Sequence, residues 1–132
     1  MDNRTVPVEE ELDIVTARQA GRELSRSLGF GVVDQTRITT AISELARNIG
    51  LYAGTGTITL KKITNGNSTG IAVVSADRGP GIACVEQAME DGFSTSNGLG
   101  AGLPGVRRLM DEFELETTPG QGTTIQIVKW LK

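Results

Sequence analysis

Glu44 and Asn48 stand four residues apart in TTAISELARNIGLYA, residues 39–53, so a helix there would carry both on one flank. An amide oxygen is a hard ligand that a divalent cation accepts beside phosphates. A carboxylate one turn away can orient water or take a proton from a hydroxyl nucleophile. The same pair also reads as ordinary polar residues at the margin of a core. The chemical reading becomes legible next to three glycine-rich turns that follow in the chain. In Asp77-Arg-Gly-Pro-Gly81 a carboxylate ends an apolar run and is followed by a tight turn. It can accept a hydrogen bond from an exocyclic amine such as that of adenine, while Gly79 and Gly81 let backbone approach the ring. A plain Asx turn closing a strand is the other reading. Gly98-Leu-Gly-Ala-Gly102 runs into a helix near Leu103, and free amides at such a junction form a phosphate cradle. A flexible connector would look similar. Gly120-Gln-Gly-Thr123 is a hairpin turn whose Thr123 or Thr124 can also offer a hydroxyl to a base.

Other chemistries are excluded more easily. Gly100, Gly102 and Gly105 match a loose GxGxxG, but the pattern follows a polar loop instead of a strand, and too little chain remains for a βαβ unit. No Walker lysine follows the glycines. The sequence has no histidine, which removes His-based triads, His metal sites and a phosphohistidine. One cysteine, Cys84, excludes an internal disulfide framework and reads as a small core residue. A net charge of −3 gives no electrostatic reason to expect nucleic acid. The 132 residues, 38% hydrophobic and 22% charged, suffice for one globular domain, 1–132, and are too few for two. The acidic N-terminus lacks a signal-peptide core, and no apolar run could cross a bilayer, so the expected location is cytoplasmic, away from membranes.

The elements that must position these residues follow from periodicity. Thr5–Glu9 predicts a short strand, kept at an edge by Pro7. Leu12–Leu28 predicts a helix buried along Ile14, Ala17, Gly21, Leu24 and Leu28, ended by a left-handed Gly29. Phe30 plugs the junction to the next helix, for which Asp34 is a candidate N-cap. Ile38, Ile42, Leu45 and Ile49 form the buried stripe of the helix over 39–53, from which Arg47 points away. Strands are expected at Gly56–Ile63, Gly70–Ala76, Phe113–Thr118 and Thr123–Leu131, with turns at Thr64–Gly70 and Pro119–Gly122. Short helices are expected at Ile82–Met89 and Leu103–Met110, and a mobile loop at Asp91–Gly102. Trp130 suits either core or partner contact. Three helices and four or five strands close a core as one helical layer on a mixed, mostly antiparallel sheet.

With ISELARNI, DRGPGI, DGFSTSNGLGAGLPGVRRLMDEF and GQGTTI in this order, the chain resembles the GHKL ATPase/kinase superfamily of gyrase B, the Hsp90 chaperones, histidine kinases and MutL. Within it the chain is most similar to the small anti-sigma-factor-type serine kinases, including the switch kinases of bacterial stressosomes. The resemblance spans essentially the whole sequence. It implies the Bergerat α/β two-layer sandwich, with ATP and Mg²⁺ as cofactors. Glu44 takes the position of the family's N-box carboxylate, the catalytic base or water-orienting group, and Asn48 that of its magnesium asparagine. Asp77, Gly79 and Gly81 fall on the adenine box. Gly98, Gly100, Ala101, Gly102 and Leu103 fall on the lid, and Gly120, Gly122 and Thr123 on the final box.

No histidine-bearing dimerisation domain or transducer domain is visible, which sets aside a sensor histidine kinase and a gyrase- or MutL-like machine. The resemblance then implies a lone kinase domain acting on other proteins. It would phosphorylate a serine or threonine on STAS-domain partners, an RsbS-like substrate and an RsbR-like scaffold. It would then be released to activate an RsbU-like PP2C phosphatase. The competing reading is an anti-sigma-factor-like module that binds ATP but acts by sequestration. The plainest reading is an α+β domain without a nucleotide site.

Overall fold

The computed structural model describes residues 3–80 and 102–131. Its chain order is β1 (Asn3–Val8), α1 (Leu12–Leu28), α2 (Val32–Asn48), a π-helical turn (Ile49–Ala53), β2 (Gly56–Asn65) and β3 (Ser68–Asp77). After the undescribed stretch come α3 (Gly102–Leu109), β4 (Glu112–Thr118) and β5 (Gly122–Trp130).

α1 has the predicted limits. Gly29 ends it at φ 102°, donating to Arg26 O, while the Phe30 N–H reaches Ser25 O. This is the double bond set that a left-handed residue makes available at a helix end. Phe30 is buried as expected. α2 starts earlier than the periodicity indicates. Its N-cap is Gly31, without a side-chain cap, and Asp34 lies inside the first turn, where it pairs with Arg37 at 2.9 Å. Val32 and Val33 stand exposed at 73% and 63% and break the apolar stripe that would have marked the start. The stripe itself is as predicted: Ile38, Ile42 and Leu45 are 0% exposed and Ile49 1%. Burying four such side chains contributes roughly 6–12 kcal/mol in gross transfer terms. That is enough for one helix to hold a buried carboxylate, which costs several kcal/mol.

The last turn of the expected helix is not α-helical. Residues 49–53 form a π turn closed by Gly54 N–H to Ile49 O at 2.8 Å, a bond spanning five residues.

The sheet order is β1-β2-β3-β5-β4, and every described neighbour pair is antiparallel, in line with the mostly antiparallel sheet expected. β1 is an edge strand, as Pro7 requires. The β2–β3 turn shrinks to Gly66-Asn67, with Asn65 facing Ser68 and Gly66 at φ 63°. Alternate residues Ile58, Leu60, Ile71, Val73, Ile125 and Ile127 fill one face, against which the helices pack. The architecture is the expected two-layer α/β sandwich.

Lys129 falls on this buried face of β5. Its Nζ donates to Leu109 O at 3.3 Å and sits 3.6 Å from Asp111 Oδ1 and 3.9 Å from Asp34 Oδ1. One cation thus ties the start of α2 to the end of α3. Lys129→Met should lower unfolding free energy by about 1–3 kcal/mol in denaturant titration. The cost stays below that of a fully buried pair because both aspartates keep some solvent. Trp130 is half-buried, its indole N–H donating to Glu112 Oε2 at 2.6 Å.

Candidate nucleotide site

Both halves of the site are built where elements stop. β3 delivers Asp77 at its carboxyl end, and the residues beside it form a single cross-strand row. Gly56 of β2 faces Asp77, Asp77 faces Thr123 of β5, and Thr123 faces Thr117 of β4. Asp77 Oδ1 accepts the Gly79 N–H at 2.9 Å, so an Asx turn is present. That bond uses one carboxylate oxygen and turns the chain away from the strand. The other oxygen keeps its acceptor capacity.

The glycines around this carboxylate stand where side chains would not fit. A Cβ on Gly79 would come 2.6 Å from Ala53 Cβ, and one on Gly56 2.5 Å from Ala76 O. Gly122, at φ 133°, lies against the backbone of Asp77 and Arg78. The Gly120 N–H donates to Pro80 O at 2.6 Å, which fastens the β4–β5 turn to the turn after Asp77.

The Ala53–Gly79 approach joins this half to the other one, because Ala53 closes the π turn that follows Asn48. Glu44 and Asn48 occupy the last two turns of α2. Glu44 is 7% exposed, and its Oε2 is buried with no hydrogen-bond partner among the described residues. Its Oε1 lies 3.8 Å from Arg47 Nη2, which corrects the expectation that Arg47 points elsewhere. Three residues along a helix place the guanidinium over the same flank. Leu51 and Tyr52, in the π turn beside this flank, are 54% and 51% exposed.

Gly102 opens α3 at φ 65°. Leu103 is buried in the core, so its backbone amide is the part that can face a ligand. The expected Gly81, Gly98, Gly100 and Ala101 contacts lie outside the described residues, as do Cys84, the Ile82–Met89 helix and nearly all of the 91–102 loop.

The residues present fit a nucleotide with a divalent cation. A carboxylate and a hydroxyl share one row beside a glycine floor, and an amide oxygen stands one helical turn from a buried acceptor. Among the described residues no three of His, Cys, Asp or Glu cluster into a ready-made metal cage. A cation here would therefore take most of its oxygens from phosphate and water. The reading from sequence missed Thr117, which alternation alone cannot align with Asp77, and the Arg47–Glu44 pair, whose i,i+3 spacing was a usable signal.

Comparison with known proteins defines the class. The chain belongs to the histidine kinase-, DNA gyrase B- and HSP90-like ATPase family, whose profile matches residues 33–132. It is 57% identical over 131 residues, 99% of its length and 98% of the relative's, to the serine/threonine-protein kinase RsbT of Bacillus subtilis (strain 168). It is 37% identical over 100 residues to an anti-sigma F factor of Thermoanaerobacter sp. (strain X514), covering 71% of this chain and 68% of that one. A solved Mycobacterium tuberculosis chain carrying RsbU and RsbW domains shares the fold, with TM-score 0.66 at 18% identity. This chain covers 34% of that larger one. The chain is accordingly a serine/threonine-protein kinase of the partner-switching kind, using ATP. No described helix is long and apolar enough to cross a membrane.

Proposed function

We propose that this kinase uses ATP and Mg²⁺ to phosphorylate a serine or threonine of STAS-domain partners, RsbS-like and RsbR-like, within a stressosome. Released from them, it activates an RsbU-like PP2C phosphatase. The observation that supports the reading is the close approach of Gly79 to Ala53, which brings the turn after Asp77 beside the turn that follows Asn48.

In this reading Asp77 accepts the adenine amine through the oxygen that Gly79 leaves over, and Thr123 supports it from the next strand. Gly79 and Gly122 let backbone lie against the ring. Asn48 offers its amide oxygen to the cation, and the amides of Gly102 and Leu103 face the phosphates. A divalent cation held by Asn48 would neutralise charge that develops on the phosphates. Glu44 takes the proton of the incoming hydroxyl on its unpartnered Oε2, and Arg47 holds the carboxylate from the other side. Leu51 and Tyr52 give a protein substrate an apolar foothold beside that carboxylate.

The test is transfer of labelled phosphate from ATP to STAS-domain proteins of the same genome. Asn48→Asp brings a second acid to the cation site and removes the neutral amide. Label on a partner serine or threonine, reduced at least about 100-fold in the variant, is the expected result. Undiminished transfer in Asn48→Asp would overturn the role of Asn48. Tight partner binding without any transfer would instead support sequestration, the reading that the anti-sigma F factor relatives favour.

A further inference from the structure

Arg47 sits beside Glu44 without being hydrogen-bonded to it. Its Nη2 lies 3.8 Å from Glu44 Oε1, beyond hydrogen-bond length, and its side chain is 36% exposed. Glu44 is 7% exposed, and its Oε2 has no partner among the described residues. Charge alone holds the pair, and the five donors of the guanidinium remain available. A pair that served stability alone would close into a fork of two short bonds. Position around α2 gives the open spacing a meaning. Each helical residue turns by about 100°, which sets Asn48 about 40° to one side of Glu44 and Arg47 about 60° to the other. The acceptor hydroxyl meets Glu44 between them. Transfer carries the phosphoryl group from the Asn48 side to that hydroxyl, and so toward Arg47.

We infer that Arg47 is a further catalytic residue, which leaves Glu44 during transfer and takes up the charge of the phosphoryl group as it reaches the acceptor. The inference rests on the reading of Glu44 as base and of Asn48 as cation ligand. The acceptor oxygen bonds to the γ-phosphorus while the bond from that phosphorus to ADP breaks, and its electron pair leaves with ADP. The hydroxyl proton passes to Glu44 Oε2. Glu44 then loses its charge, and the attraction that kept Arg47 beside it disappears. The transferred group brings about two negative charges to the same flank, and a guanidinium fork matches its oxygens. A closed, doubly bonded pair would oppose this exchange of partners. The spacing of 3.8 Å leaves it open.

The probe is ADP with aluminium fluoride and Mg²⁺, in which the fluoride complex stands in for the transferring phosphoryl group and no turnover is needed. The wild-type chain should bind it at least about 30-fold more tightly than ADP alone. Arg47→Gln should reduce that gain at least about tenfold, while ADP alone binds within about twofold of wild type. Arg47→Lys keeps the charge beside Glu44 but lacks the fork, and should recover part of the gain. Phosphoryl transfer should follow the same order, falling about 100-fold in Arg47→Gln with KM for ATP unchanged. The deciding background is Glu44→Ala. A guanidinium that touches the fluoride complex still adds affinity there, so Arg47→Gln should again cost at least about fivefold. No further cost in that background would mean that Arg47 acts only through Glu44, and overturns the exchange of partners. An unchanged gain in folded Arg47→Gln overturns any role of Arg47 on the phosphoryl group. Should Arg47→Gln fold poorly, Arg47→Lys read against wild type makes the same comparison. Transfer at the wild-type rate in Glu44→Ala overturns the base reading beneath the inference, and the inference with it.

Discussion

Asp77→Asn is expected to weaken ATP binding at least about 100-fold, near 3 kcal/mol, while the protein stays folded. The replacement is isosteric, and the asparagine carbonyl can still accept the Gly79 N–H that Asp77 Oδ1 takes at 2.9 Å. The turn should therefore survive. What changes is the second position of the side chain, where an amide N–H₂ replaces an oxygen and meets the adenine amine donor to donor. The loss combines a charge-assisted hydrogen bond with a buried group left unpaired, which is why it exceeds the net value of one neutral bond. Calorimetric titration with a non-hydrolysable ATP analogue reads the affinity, and a thermal melt without nucleotide reads the fold. Retained affinity in a folded Asp77→Asn would remove Asp77 from the site.

Glu44→Ala separates binding from chemistry. Phosphoryl transfer should fall about 100- to 10,000-fold, the span that a positioned general base contributes. Nucleotide affinity should move less than about threefold, because Glu44 is assigned to the hydroxyl and makes no proposed contact with ATP. Stability offers a second readout with an unusual sign. Glu44 is 7% exposed with one carboxylate oxygen unpartnered, so the wild-type helix already carries a desolvation cost there. Alanine removes that cost and substitutes the strongest helix former. The unfolding free energy should stay within about 1 kcal/mol of the parent or rise. A variant that loses transfer only because it unfolds would fail this second test.

These two residues were legible in the sequence for different reasons. Glu44 and Asn48 stand on a stripe of isoleucine and leucine regular enough to fix their flank. Asp77 ends a continuous apolar run that could only be a central strand. α1 was readable from end to end because Gly29 marks its stop with backbone chemistry that few other residues support. The start of α2 was not, since Gly31 gives no side-chain cap and Val32 and Val33 face outward. Strand order was hidden as well. β5 inserts between β3 and β4, and that choice depends on packing across the whole sheet, which no local window contains. The register it sets is what places Thr123 and Thr117 in line with Asp77. Lys129 shows the same limit. Alternation puts it on one face with Ile125 and Ile127, but the aspartates that make a buried lysine tolerable come from elsewhere in the chain.

The π turn after Asn48 gives the chain a count it must keep. A π turn is an α turn carrying one residue more, and each helical residue advances the backbone by about 100°. One residue more at 49–53 would meet a turn that already carries its extra residue and could not take it up. Everything after it would then swing by about that angle, drawing Ala53 away from the glycine it touches at Gly79. Substitutions within the segment can be absorbed, because Gly50, Leu51 and Tyr52 are exposed. An added residue cannot. Between Asn48 and the first residue of β2, the fold is insensitive to much of its spelling and strict about letters added to it.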